Sequence, residues 1–236
     1  RFFHLIYSNY ICILMSIIKL HDLHFSPYID KEKIATIVKH LARTVKADLP
    51  ENEVPIFVGI LNGCFLFAAD FIRAFEGNCE VSFVKLASYE GTKSSANVKE
   101  LVGINEDLTN RTVIILEDVI DTGNTLQEIY AIFKDKNVKQ LKIATLLFKP
   151  DVFRKELPID YIGLSIKDKF VVGYGLDYNG LGRNYPEIYQ LTTPPKMKNI
   201  VLFGPPGAGK GTQAEFLKTK YSSKYTYLYR NKKNIL

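Results

Sequence analysis

A short stretch between residues 113 and 125 constrains the fold and the chemistry of this chain more than any other part. Residues 113–116 form a continuous apolar run, which is typical of a strand buried on both faces of a parallel sheet. Glu117 and Asp118 follow at the predicted carboxyl end of that strand. The segment Asp121-Thr122-Gly123-Asn124-Thr125 then predicts a tight turn that leads into a helix.

The turn offers the groups that a phosphate needs. Its backbone N–H groups and the hydroxyls of Thr122 and Thr125 come at a predicted helix N-terminus, where anions are stabilised. Two carboxylates beside a phosphate would repel it unless sugar hydroxyls or a magnesium ion supply them with partners. Taken singly, these residues equally fit a solvated turn with Asp121 or Thr122 as a helix cap. In this order they closely resemble the phosphoribosyl-pyrophosphate (PRPP) binding motif of type I phosphoribosyltransferases.

Apolar runs alternate with helical periodicity along most of the chain. Strands are predicted at residues 55–60, 81–87, 112–117, 141–148 and 161–165, and helices at residues 30–49, 65–75 and 125–134. The alternation predicts an α/β fold with a mainly parallel central sheet flanked by helices, and with ligands beyond the carboxyl ends of the strands. The resemblance implies the type I phosphoribosyltransferase fold, which adds a small hood subdomain.

The histidines and cysteines exclude several kinds of site. All four histidines lie within the first 40 residues, and the three cysteines are not spaced for a metal site or a redox pair. A zinc site or a Ser-His-Asp or Cys-His arrangement is therefore not expected in the later chain. The chemistry must use carboxylates, hydroxyls, lysines and backbone amides. The cysteine usage favours a reducing, cytoplasmic compartment.

The net charge of +6 is unevenly distributed. Residues 196–236 hold nine Lys/Arg and one Asp/Glu and so carry +8, whereas residues 1–195 hold 22 basic and 24 acidic residues and carry −2. The basic pI thus comes from the tail, and no nucleic-acid partner is expected for the main domain.

The two ends are expected to stand apart from a main domain over residues 15–193. Residues 1–14 precede Met15 and are predicted to be an upstream or non-native extension. Polar residues interrupt this segment too often for a transmembrane helix, so no membrane partner is expected. Residues 194–236 begin with a proline-containing linker and continue into a different motif.

That motif has the pattern of a P-loop. An apolar run leads into Gly204 and then into Gly209-Lys210-Gly211-Thr212, a glycine-rich turn with a lysine before a helical pattern. The stretch closely resembles the start of adenylate kinase. Only 24 residues follow Thr212, and they contain no second strand and no lid. We therefore interpret residues 194–236 as a linker followed by the truncated beginning of an adenylate-kinase-like domain.

The main domain further resembles the bacterial hypoxanthine(-guanine) phosphoribosyltransferases, from about residue 17 to about residue 191. Leu61-Asn62-Gly63 matches the pyrophosphate-binding loop, in which the family has an unusual peptide bond and usually a lysine where this chain has Asn62. The pyrophosphate side of the site thereby loses one positive charge. Ser88 and Tyr89 match the Ser-Tyr pair of the mobile loop that closes over the reacting groups.

Two other segments match the part of the family site that binds the base. By resemblance, Lys149 donates to the exocyclic oxygen of a 6-oxopurine, Phe170 stacks on the purine, and Val171 binds it through its backbone. Asp177 is also implied to contribute to purine binding and to belong to a second magnesium site on the pyrophosphate side, and Arg183 reaches the pyrophosphate.

The resemblance implies magnesium-dependent transfer of the phosphoribosyl group from PRPP to hypoxanthine or guanine, which is a purine salvage reaction. Glu117 and Asp118 would hold the ribose hydroxyls and, with Asp177, magnesium, while Asp121 would act at the purine N7 as the general base or stabilise the proton there. A homodimer or homotetramer is implied. Three alternatives stay open, namely a nucleotide-binding regulatory protein on the same fold, an ATP-binding phosphotransferase that uses the P-loop, and a catalytically weak paralogue because of Asn62.

Overall fold

The computed structural model describes residues 17–86, 100–102, 107–133, 136–193 and 212–213. The chain divides into two compact units, Arg1–Pro194 and Pro195–Leu236. In the second unit only Thr212 and Gln213 are described, and both are helical and exposed. Within the described ranges, no helix combines the length and the apolar character that crossing a membrane requires.

The first unit alternates strands and helices. In chain order its elements are β1 (Ile18–Leu20), β2 (Leu23–Ile29), α1 (Lys31–Asp48), β3 (Ile56–Leu61), α2 (Phe65–Ala74), β4 (Glu80–Leu86), β5 (Glu100–Val102), β6 (Thr112–Ile120), α3 (Asn124–Phe133), β7 (Gln140–Phe148), β8 (Tyr161–Ser165), β9 (Val171–Val172) and β10 (Ile188–Thr192). Six of these strands form one sheet in the order β5-β4-β3-β6-β7-β8. All its pairings are parallel except that of the edge strand β5 with β4. The predicted α/β class with a mainly parallel sheet is confirmed.

Strand β6 lies in the interior of this sheet. This position explains why residues 113–116 are continuously apolar. Ile114 and Leu116 belong to the core cluster formed with α1 and α2, whereas Val113 and Ile115 belong to the cluster formed with α3. Successive side chains of a strand point to opposite faces, so the stretch 113–116, which helices cover on both sides, holds only apolar residues. The helices contribute one apolar face each, and α1 begins where the Asp30 carboxylate accepts a hydrogen bond from the Lys33 N–H at 2.7 Å.

A second, antiparallel sheet has the order β1-β2-β10-β9, and we refer to it as the hood. Its own small core contains Leu20, Phe25, Val172 and Tyr189. None of its strands was predicted individually, because they are short and pair residues that are far apart in sequence, such as Phe25 with Leu191. The hood itself was implied only by the family resemblance.

One predicted boundary at the centre of the sheet is wrong. The acids Glu117 and Asp118 do not end β6, which continues to Ile120 and stays paired with β7 as far as Phe148. Val119 and Ile120 are apolar and extend the strand beyond the two carboxylates, so these lie inside the strand instead of in the following turn. The other predicted strands and helices begin close to the observed residues.

Leu116 provides a test of the buried central strand. Its side chain is fully buried, so Leu116→Ala should lower the free energy of unfolding by about 2–5 kcal/mol through lost apolar burial and the cavity left behind. Urea denaturation measures this change. Val81→Ala is the control, because Val81 is 39% exposed on β4, and it should cost less than about 1 kcal/mol. Equal losses in the two variants would contradict the assignment of β6 to the core.

Candidate active site

A cavity of about 290 Å³ opens at the carboxyl ends of the central strands, beside the hood. Eight of the residues that the sequence analysis selected line it, although they come from distant parts of the chain. The lining includes Gly63, Asp118, Asp121, Lys149, Phe170, Val171, Asp177 and Arg183. Its position agrees with the expectation that ligands of an open α/β sheet bind beyond the carboxyl ends of the strands.

The two adjacent acids of β6 are both buried, and they serve different spaces. Asp118 lines the large cavity, whereas Glu117 lines a second cavity of only about 10 Å³ between β6 and α3, together with Gly123 and Thr125. Neighbouring side chains on a strand point to opposite faces, which accounts for this separation. The acidic pair therefore reaches two sides of the site from one short stretch of backbone.

Burial changes the protonation of both carboxyl groups. Desolvation raises the pKa of Asp118 to about 6; the Asp177 charge raises it too, while the Val119 N–H and Arg183 lower it. Desolvation raises the pKa of Glu117 well above its ordinary range, and the charges of Asp118 and Asp121 add to this effect. Glu117 Oε2 is buried and has no hydrogen-bond partner in the described structure. Such an oxygen is well suited to accept a hydrogen bond from a ligand.

The turn over residues 121–125 joins β6 to the N-terminus of α3. Asp121 Oδ1 accepts hydrogen bonds from the N–H of Thr122 at 2.5 Å and from its hydroxyl at 3.3 Å. Gly123 has a φ of +84°, and a Cβ there would lie 2.6 Å from the Phe153 ring, so both the backbone and the space require glycine. Thr122, Asn124 and Thr125 remain exposed. The turn thus presents an accessible helix N-terminus next to the cavity.

The loop over residues 61–64 approaches the acidic pair from β3. Its Leu61–Asn62 peptide bond is cis, as the family resemblance implies for an unusual bond at this position. A Cβ on Gly63 would lie 1.8 Å from Asp118 Oδ2, so only glycine fits against the buried carboxylate. Asn62 is exposed. Cys64, which follows, is buried, and burial together with the charges of Glu117 and Asp118 raises the pKa of its thiol.

The base side of the cavity combines an ammonium group with an aromatic ring. Lys149 follows β7, and its Nζ lies 3.2 Å from Asp168 Oδ1 in an ion pair whose lysine side chain is mostly buried. Phe170 is 42% exposed at the cavity and contacts Phe25 and Tyr178 with its ring. Asp168 and Tyr178 belong to the segment that resembles the base-binding part of the family, but neither was given a role from the sequence, because they act through neighbouring residues.

The hood contributes a carboxylate and a guanidinium that pair with each other. Arg183 Nη2 lies 2.6 Å from Asp177 Oδ1, and Arg183 Nη1 donates to the Gly175 carbonyl at 2.6 Å.

Across the described ranges, no group of three or more His, Cys, Asp or Glu side chains is arranged to hold a metal ion. Predicted residues Ser88, Tyr89, Gly204, Gly209, Lys210 and Gly211 lie outside the described residues.

Comparison with known proteins identifies the family. The family model for the phosphoribosyl transferase domain matches residues 26–179, which is more than half of the chain. The chain belongs to the phosphoribosyl transferase domain family. The predicted type I phosphoribosyltransferase fold is likewise confirmed by the parallel core strands with flanking helices and by solved structures of the same kind.

Individual relatives of this phosphoribosyltransferase cover the same region. The chain is 36% identical over 162 residues to a hypoxanthine-guanine phosphoribosyltransferase of Aquifex aeolicus, covering 68% of this chain and 91% of that protein. It is 37% identical over 164 residues to one of Staphylococcus epidermidis, covering 69% and 91%. A crystal structure of a hypoxanthine-guanine phosphoribosyltransferase from Bacillus anthracis superposes with a TM-score of 0.66 at 36% identity, covering 71% of this chain and 97% of that one.

The buried carboxyl group of Asp118 makes a prediction about the stability of this phosphoribosyltransferase domain. Its raised pKa means that, between about pH 4 and pH 6, the folded protein binds this proton more tightly than the unfolded chain, so Asp118 lowers stability as the pH rises. The side chain of Asp118→Asn cannot ionise. As the pH rises from about 4 to about 6, the free energy of unfolding of this variant should increase by about 2–3 kcal/mol relative to the wild type, and the difference should persist at higher pH.

Urea denaturation of both proteins without substrate, and with a chelator present, measures this difference across the pH range. Asp151→Asn replaces an exposed carboxylate and is the matched control, with an expected change below about 0.5 kcal/mol. A constant difference between Asp118→Asn and the wild type at every pH would show that Asp118 ionises as easily in the folded protein as in the unfolded chain.

Proposed function

We propose that the domain transfers the 5-phosphoribosyl group of PRPP to hypoxanthine, guanine or both, with magnesium, and so forms IMP or GMP and pyrophosphate in purine salvage. One observation carries the proposal. A single cavity joins the buried Asp118 and the adjacent Asp121 on one side to Lys149 and Phe170 on the other, and Glu117 and the turn at the start of α3 line a smaller cavity that shares Asp121 with it. The similarity to relatives named hypoxanthine-guanine phosphoribosyltransferase supports the same reaction.

The base binds between the hood and the end of β7. Lys149 is an ammonium donor for the exocyclic oxygen of a 6-oxopurine, and it would not favour the amino group of adenine at the same position. Phe170 exposes enough of its ring to stack on the purine, and Val171 beside it offers backbone groups. Asp168 orients Lys149 through their ion pair. These contacts make oxygen at purine position 6 the feature that is recognised.

The sugar and its phosphate bind on the opposite side. Glu117 and Asp118 accept hydrogen bonds from the ribose hydroxyls, which supplies the missing partner of Glu117 Oε2. The 5-phosphate binds the N–H groups and hydroxyls of residues 122–125 at the start of α3. On the pyrophosphate side, backbone groups of Leu61, Asn62 and Gly63 together with Arg183 take the leaving group.

The residues at the cavity fit a magnesium ion that is completed by the substrate. Magnesium prefers oxygen ligands and usually binds through one or two carboxylates together with phosphates and water, so a cage of protein ligands is not required. Asp118 and Asp177 line the same cavity and interact electrostatically. Glu117 was grouped with them from the sequence, but its position in the smaller cavity favours the sugar. A bound magnesium ion would neutralise charge on the departing pyrophosphate.

The reaction breaks the bond between ribose C1 and the pyrophosphate oxygen and forms a bond from C1 to purine N9. Positive charge develops on the sugar in the transition state, and the adjacent carboxylates stabilise it. Asp121 lines the cavity and accepts the proton that the purine releases, or stabilises the proton at N7. Closure of the loop with Ser88 and Tyr89 to exclude water remains part of the proposal.

Turnover with a panel of bases tests the proposed substrates. We expect the protein with PRPP and magnesium to form a nucleoside monophosphate from hypoxanthine or guanine, and adenine to react at least about 10²-fold less efficiently, because Lys149 cannot pair with its amino group. Chromatographic detection of the monophosphate and of pyrophosphate measures this, with xanthine as a further 6-oxopurine. If no base yields a nucleoside monophosphate, the proposed enzymatic activity is refuted and the nucleotide-binding regulatory protein is a remaining alternative.

Asp121→Asn tests the proposed proton acceptor. The amide keeps an oxygen that can accept the Thr122 N–H, so the turn should fold as before, but it cannot take up a proton. The rate of the chemical step should fall by about 10²-fold or more, while the dissociation constant of PRPP changes little. Single-turnover kinetics and PRPP titration separate these effects, with Asp151→Asn as control. Equal losses in the rate of the chemical step and in the affinity for PRPP would mean that Asp121 has a structural role.

Other expectations remain proposals. These are a cytoplasmic location, a homodimer or homotetramer, the domain limits at residues 15–193, and an adenylate-kinase-like P-loop segment within residues 194–236. ATP binding that survives Lys149→Met but is lost in Lys210→Ala would support the P-loop as a separate nucleotide site.

A further inference from the structure

A buried tyrosine in the hood is hydrogen-bonded to a helix of the main sheet. Tyr174 is 6% exposed and adopts a φ of +50° between Gly173 and Gly175, which have φ values of +95° and +97°. Its hydroxyl donates to Asp70 Oδ2 in α2 at 2.8 Å. The two residues are 104 positions apart in sequence, so this bond links the hood turn over residues 173–175 to the core.

Each end of this bond continues directly into the pyrophosphate side of the site. Helix α2, which carries Asp70, begins at Phe65, immediately after the 61–64 loop. The turn with Tyr174 continues to Asp177, and it is tied to Arg183 by two hydrogen bonds, from Gly175 N–H to the Arg183 carbonyl at 3.0 Å and from Arg183 Nη1 to the Gly175 carbonyl at 2.6 Å. The bond therefore joins the two segments that carry the groups expected to face pyrophosphate.

The hood turn over residues 173–175 and the 61–64 loop also touch next to the site. A Cβ on Gly175 would lie 2.1 Å from the carbonyl oxygen of Gly63, so the backbone of the hood turn rests directly on the 61–64 loop. Such close contact needs a second attachment to define the angle between the two segments. Tyr174 supplies it, because its side chain is buried between the two segments and its hydroxyl donates to Asp70 of α2.

The acceptor is held in place from its own helix. Asp70 Oδ1 accepts a hydrogen bond from Arg73 Nη1 at 3.0 Å, one turn further along α2. This pair is largely exposed and contributes little by itself, but it leaves Oδ2 oriented towards Tyr174. The base side of the hood is held differently, through pairing of Val171 and Val172 with β10.

We propose that Tyr174 and Asp70 are positioning residues for pyrophosphate: their hydrogen bond holds the turn that carries Asp177 and Arg183 at a fixed place over the 61–64 loop. The inference rests on the proposed function, since it concerns the pyrophosphate product of that reaction. The chain has no lysine in the 61–64 loop, so the fixed position of Arg183 matters more for holding this anionic group.

The reverse reaction, in which pyrophosphate attacks IMP, tests the proposal because it gives a separate KM for each ligand. Tyr174→Phe removes only the hydroxyl. We expect the KM for pyrophosphate to rise about five- to tenfold, as for the loss of one hydrogen bond, and the KM for IMP to change less than about twofold. A merely structural role would not separate the two constants.

Variants of Asp70 provide an independent version of the test from the helix side. Asp70→Ala should reproduce the effect of Tyr174→Phe, and the double variant should be no worse than either alone. Asp70→Asn keeps an oxygen acceptor for the tyrosine hydroxyl and should behave almost like the wild type. Tyr189→Phe is the matched control, because its hydroxyl donates to Glu187 within the hood and does not reach α2.

The outcomes distinguish the two hypotheses. If the wild type is active but Tyr174→Phe and Asp70→Ala change both KM values equally, or neither, the positioning role is wrong and the proposed function stands. The same conclusion follows if Tyr189→Phe has the same selective effect. A wild-type protein that forms PRPP from neither IMP nor GMP with pyrophosphate would overturn the proposed function and, with it, this inference.

Discussion

The burial of two adjacent carboxyl groups in a central strand is the constraint on which the site depends. Glu117 and Asp118 continue an apolar strand whose pairing with β7 extends past them, and the two residues are only 7% and 8% exposed. Desolvation makes ionised carboxylates unfavourable unless charge or hydrogen bonds compensate. The surroundings reflect this requirement: Gly63 leaves space for Asp118, and Arg183 offers a nearby positive charge. A substrate with hydroxyls and a cation would satisfy both acids.

The hood supplies groups of the site that the parallel sheet lacks. The sheet places the acids, the 121–125 turn and Lys149 along one edge, but these groups alone leave the base and pyrophosphate sides open. Antiparallel strands from both ends of the domain bring Phe170, Asp177 and Arg183 over that edge. The site is therefore assembled between two sheets, and its geometry depends on the contacts that join them, among which are those of Gly175 and Tyr174.

Prediction from the sequence succeeded where the pattern was local. The alternation of apolar runs and helical faces indicated the parallel sheet and its helices, because side-chain periodicity follows directly from backbone geometry. It failed at Ile120, where β6 runs beyond the two acids, since only pairing with β7 shows how far the strand extends. It also missed β5 and the hood strands, whose partners are remote in sequence. Tyr174 carried no signal, because its partner Asp70 is defined only by the fold.

The sequence by itself determined the chemistry available to this protein: two acids directly after an apolar run, a glycine turn at a helix start, and the residues that resemble a purine phosphoribosyltransferase. These features are local, so a linear pattern is enough to reveal them. Only the tertiary structure decided which acid faces which space, that Arg183 pairs with Asp177, and that Gly63 must be glycine because Asp118 lies against it. Such relations follow from the way the strands pair and the loops between them fold, which a linear pattern does not reveal.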